Sequence, residues 1–101
     1  AEGEFDGLTR EQVDQVVKQH KSAIRFCFEK ELQRNPNLGG KISMGWRIER
    51  NGGVSSVRVK SSTVSSGAVQ DCIGRAIPNW RFPSSDGTTV VRNYPFIFSG
   101  R

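Results

Sequence analysis

The chain has 101 residues, 35% of them hydrophobic and 25% charged, which is the composition of one small folded domain and excludes a large enzyme. Fifteen Lys and Arg against ten Asp and Glu leave a net charge of +5, a bias toward polyanions or acidic partners that names neither. No apolar run approaches the roughly 20 residues that cross a bilayer, and no charged-then-apolar leader opens the chain, so no direct membrane insertion is expected of this segment.

Residues 1–8, AEGEFDGL, carry no apolar period and are expected to be a flexible tail or a cloning scar ahead of a domain spanning 9–101. Thr9 stands three residues before Gln12, the spacing at which two side chains satisfy helix N-terminal amides, with Leu8 and Val13 as the flanking apolar pair. Val13, Val16, Val17, His20, Ile24, Cys27 and Phe28 then recur at spacings of three and four, predicting one helix that Pro36 stops near Arg34. The period changes at Ile42, Met44, Trp46 and Ile48, which alternate with Lys41, Ser43, Gly45, Arg47 and Glu49 in the manner of a half-buried strand. Asn51-Gly52-Gly53 reads as a hairpin turn into a second strand carrying Val57 and Val59, and Val54 is out of phase with Val57, so a bulge is expected between them. A phosphate loop is not the reading of this turn, because no helix follows it.

Ser65 or Ser66 caps a second helix with Val69, Cys72, Ile73, Ala76 and Ile77 on its apolar stripe, ended by Pro78. A turn at 84–87 leads to a third strand on which Val90, Tyr94, Phe96 and Phe98 share a parity. Pro95 lacks an amide hydrogen, which places that strand at a sheet edge. The fold class expected is α+β, in the order αββαβ: a three-stranded antiparallel sheet, second hairpin strand next to first next to third, with two helices packed on one face.

Against that frame the chemistry of the residues is sparse. His20 and Cys27 share a helix face, but seven residues at about 1.5 Å each separate them by roughly 10 Å, too far for proton transfer, and His20 reads as a half-buried core residue. Two Cys and one His leave a structural zinc site short, so no metal is expected, nor any cofactor. Glu11, Asp14, Glu29 and Glu31 among Lys18, Lys21, Arg25 and Lys30 read as a solvated helix face. No catalytic residue is identified, and the chain is not expected to be an enzyme. Cys27 and Cys72 lie on the apolar stripes of two helices on one sheet face and could meet, or remain two buried thiols.

Lys41, Arg47, Arg58 and Lys60 take the parity opposite to the core and should form one basic sheet face, serving solubility, acidic partner segments or an anionic cell-wall polymer. Nucleic acid is disfavoured there, because Trp46, Tyr94, Phe96 and Phe98 fall on the inward parity and leave no rings for bases to stack on.

The run GKISMGWRIERNGGVSSVRVKSST, the helix with CIGRAIPNWRFP and the strand NYPFIFS together resemble the TonB C-terminal domain superfamily. The nearest likeness is to the AgmX/PglI C-terminal domain of myxobacterial gliding-motility proteins, extending from about Thr9 to Ser99. Its most specific parts are Cys27-Phe28-Glu29, Asn51-Gly52-Gly53-Val54, Cys72-Ile73 and Trp80-Arg81-Phe82-Pro83. The resemblance implies the periplasmic domain of an inner-membrane-anchored protein, docking periplasmic or outer-membrane proteins of the gliding machinery while the rest of the chain engages an ion-driven inner-membrane motor. It also implies an oxidising compartment, in which Cys27 and Cys72 would form a disulfide worth about 4 kcal/mol by loop closure. TonB-like domains are similar in recruiting a partner segment as an added strand, and the edge expected to do so is Val90, Val91, Arg92, Asn93, Tyr94, Phe96, Ile97 and Phe98, with Arg92, Asn93 and Ile97 lending selectivity and Pro95 limiting the register. The alternative is an edge that Pro95 merely protects.

Overall fold

The computed structural model describes residues 2–99; Ala1, Gly100 and Arg101, which the expected tail and domain boundaries include, lie outside the described residues. Its elements are β1 (Glu2–Phe5), α1 (Arg10–Gln19), α2 (Lys21–Leu32), β2 (Gly40–Ile48), β3 (Val54–Ser62), α3 (Gly67–Ala76), a 3-10 turn over Ile77–Asn79, and β4 (Thr89–Phe98). The class is α+β, with a four-stranded antiparallel sheet in the order β1-β4-β2-β3 and three helices.

Helix α1 starts where its cap dictates. The Thr9 hydroxyl accepts from the Gln12 amide at 3.1 Å while the Gln12 side chain accepts from the Thr9 amide at 2.9 Å, a reciprocal pair that stabilises the helix start by about 1 kcal/mol. The single helix expected over this region is two. His20 sits at φ −107° and ψ 9°, between α1 and α2, and its ring lies parallel to Trp80 with centroids 4.9 Å apart. An unbroken spacing of three and four concealed the break because the kink uses neither Pro nor Gly.

Ile42, Met44, Trp46 and Ile48 face the helices and are buried with Val17, Ile24, Val69 and Ile73 in one core. β2 is flanked by β3 on one side and β4 on the other, and even outward-facing Ser43 is 2% exposed. The register of β2 with β3 shifts between Gly45 and Arg47, where Ser56 adopts φ +55° on β3, the bulge foreseen from Val54 and Val57. A second shift, between Met44 and Trp46 against β4, turns Val91 into the core and Val90 toward the open face. This corrects the parity expected of Val90, since one extra residue on β4 inverts the phase upstream of it. At the hairpin, Gly52 holds φ +89° and a Cβ there would stand 2.0 Å from the Phe82 carbonyl oxygen. The Phe82 amide donates to the Gly52 carbonyl at 3.0 Å, so the turn is also the seat for the returning chain.

One expectation about the start of the chain is corrected. Glu2–Phe5 is not a loose tail but a strand, paired as Glu2 with Asn93, Gly3 with Val91, Glu4 with Val90 and Phe5 with Thr89. Leu8 is 1% exposed, and its amide donates to the Thr89 hydroxyl at 2.9 Å. Gly3 fits because a Cβ there would lie 2.0 Å from the Val90 carbonyl oxygen. A disulfide joins Cys27 of α2 to Cys72 of α3, Cα atoms 5.6 Å apart across a sequence separation of 45.

Candidate functional site

β4 is not a free edge along its whole length. Val90, Val91, Arg92 and Asn93, expected to be open to a partner, lie in the half of β4 that β1 flanks. Arg92 is further held by an ion pair with Glu4. The reason is local: Gly3 permits the close approach, and Arg10 over the Phe5 ring at 5.2 Å pins the end of β1. From Tyr94 to Phe98 the strand pairs with β2 alone, in the uninterrupted register Met44 with Tyr94 through Gly40 with Phe98. That half contains Tyr94, Phe96, Ile97 and Phe98 of the expected binding edge. Phe96 is buried, Tyr94 and Phe98 are half-buried, and Ile97 is 78% exposed on the open face.

Helix α2 runs beside this open half. Phe28 stacks on Phe98 with centroids 4.8 Å apart. Lys21, Ile24 and Arg25 line a hollow of about 250 Å³ against residues 94–98. Further along, Arg25, Phe28, Glu29 and Leu32 line an adjoining hollow of about 310 Å³ against Ile97, Phe98 and Ser99. The two hollows share Arg25, Ile97 and Phe98 in their linings, and chain order rises together on helix and strand, so they adjoin as a trough between α2 and the edge. The sequence placed Lys21, Arg25 and Glu29 on a solvated face and gave no sign of what they border. Their spacing of four shows only that the three share one flank of the helix.

Asp14 does more than face solvent. It accepts the Tyr94 hydroxyl at 2.6 Å, tying α1 to the first residue of the open half. Burial, and then this hydrogen bond and the carboxylate's charge, push the Tyr94 phenol above its ordinary range.

The basic face is only partly assembled as expected. Arg47, Arg58 and Lys60 surround a groove of about 280 Å³ on the side of the sheet away from the helices, and Arg92 joins them. Its floor is Gly45, where a side chain would press on the Arg92 carbonyl and Lys60. Lys41 stands apart, beside Glu2, Ser43, Asn93 and Pro95. Arg47 pairs with Glu49 at 3.3 Å, whereas Arg58 and Lys60 have no ion-pair partner among the described residues.

The sulfur of Cys27 is engaged in the disulfide and is not a thiolate nucleophile. His20 is half-buried against Trp80, as its place on the stripe suggested. Among the described residues no three His, Cys, Asp or Glu side chains gather to hold a metal ion, and no helix is long and apolar enough to cross a membrane. No family model matches the chain, and no curated protein or solved structure does so.

Proposed function

We propose that this chain is a protein-interaction domain that takes an extended peptide as an extra strand along Tyr94–Phe98. The observation that carries this reading is a run of backbone paired on one side only, free of charged side chains and bordered by a trough beside α2. Unpaired strand donors and acceptors in such a setting favour β-augmentation. On the resemblance to TonB C-terminal domains, the whole protein is a membrane-anchored gliding-motility or energy-transducing protein. This domain then docks periplasmic or outer-membrane partners while an ion-driven inner-membrane motor acts through the rest of the chain, and no chemistry is catalysed. The disulfide is compatible with an oxidising compartment of that kind. Amide chemical-shift mapping with segments of envelope proteins tests it. Perturbations centred on residues 94–98 support strand addition, and perturbations confined to Arg47, Arg58 and Lys60 move the site to the open sheet face.

That face supports a second reading, capture of an anionic cell-wall polymer or nucleic acid, favoured by the unpartnered Arg58 and Lys60 at the Gly45 groove. Trp46 and Phe96 are buried on the other side, so such binding would be carried by charge and would weaken steeply with salt.

A further inference from the structure

The trough beside the open half of β4 carries a charge order. Lys21, Arg25 and Glu29 succeed one another along the flank of α2 that borders residues 94–99. None of the three belongs to an ion pair among the described residues. Successive members are four residues apart, about 6 Å along the helix axis. Alternate residues of an extended strand are about 6.7 Å apart on one face. A strand laid against Tyr94–Phe98 thus presents its helix-facing side chains at nearly the same interval as these three charges. Antiparallel pairing is the geometry of every strand pair in this sheet, β1 included. A peptide added that way runs from the Phe98 end to the Tyr94 end and meets Glu29 first, then Arg25, then Lys21.

Resting on the strand-addition reading above, we infer that the trough selects peptides of the pattern basic-x-acidic-x-acidic, read from N- to C-terminus. The intervening side chains project to the open face, where exposed Ile97 offers an apolar contact. Tyr94, Phe96 and Phe98 line the trough beside Lys21 and Arg25, and Phe28, Leu32 and Phe98 line it beside Glu29; this apolar lining lowers the effective dielectric near the charges, which strengthens the discrimination over that of fully solvated pairs.

Two synthetic peptides decide the matter: one carrying Lys-Thr-Glu-Val-Glu between neutral ends, and its reversed sequence Glu-Val-Glu-Thr-Lys with the same ends. Affinity is read by titration of amide shifts in the disulfide-bonded domain. The forward peptide is expected to shift residues 94–98 and to bind about fivefold more tightly than the reverse. The triple variant Lys21→Glu, Arg25→Glu, Glu29→Lys, all at exposed positions, is expected to invert that preference. Equal affinity of the two peptides, with both shifting residues 94–98, overturns the charge order and leaves strand addition standing. Failure of both to shift those residues overturns strand addition and the charge order together.

Discussion

The sheet has two outer margins, and they are built differently. β3 is flanked by β2 alone, yet its ladder is interrupted at both ends, by Ser56 at φ +55° and by the register shift between Ser43 and Met44, and it carries Arg58 and Lys60. Bulges twist an edge away from a would-be neighbour and charges must be desolvated before one can dock. The open half of β4 has neither protection: five residues in unbroken register, none charged, with Pro95 as the one missing donor. The difference teaches that one margin is kept from pairing while the other is left able to pair over a short, defined length.

The disulfide bears on both margins, because α2 borders the β4 side and α3 packs beside Val57 and Val59 of β3. Replacing Cys27 and Cys72 together by Ala is expected to lower stability by about 4 kcal/mol, read from the urea midpoint. A loss under about 1 kcal/mol would mean that the helices hold their places without it. Gly3→Val should cost about 2 kcal/mol by driving β1 off Val90. Amide exchange at Thr89–Asn93 should then accelerate while β3 amides keep their rates, and unchanged protection at Thr89–Asn93 would break the account of a covered half.

Tyr94→Phe is expected to cost about 1 to 2 kcal/mol through loss of the bond to Asp14. The phenol's pKa is raised in the fold above an unfolded value near 10, so its contribution is complete below about pH 10 and lost as pH rises through the folded value. The chain has one Tyr, so ultraviolet titration of phenolate reports this group alone. An ordinary titration midpoint would remove the Tyr94–Asp14 tie. The smallest effect on stability, within about 0.5 kcal/mol, is expected of Arg58→Thr with Lys60→Val, which strips the charges from β3. Sedimentation velocity should show new self-association of that variant, and a persistent monomer would show that the bulges suffice.

Much of this layout is legible in the sequence. The Thr9–Gln12 cap, the alternation from Ile42 to Ile48, the Ser66 cap and the glycine turn are local signals that tertiary packing did not override. β1 was invisible because an edge strand of four residues buries little; its burial alternates only between exposed and half-buried, and Gly3, with Gly7 just beyond the strand, read as looseness. The phase of Val90 and Val91 hung on a bulge that no residue type announces. The trough was hidden for another reason: Lys21, Arg25 and Glu29 are ordinary surface residues until the strand beside them is known. The closeness of Cys27 and Cys72 followed from their stripes, whereas their oxidation was implied only by the resemblance.

The covalent link across α2 and α3 also decides how the molecule answers to tension. Both β2 and β3 lie between residues 27 and 72, inside the closed ring of chain, so a pull applied near the two chain ends travels along α1, through the sulfur bridge and out along β4. The hairpin is bypassed and cannot be drawn out until the bridge is reduced. Load falls instead on the ladders that hold the two outer segments, β1 against β4 and β4 against β2, and the four-residue pairing of β1 is the shorter of them and the first expected to part.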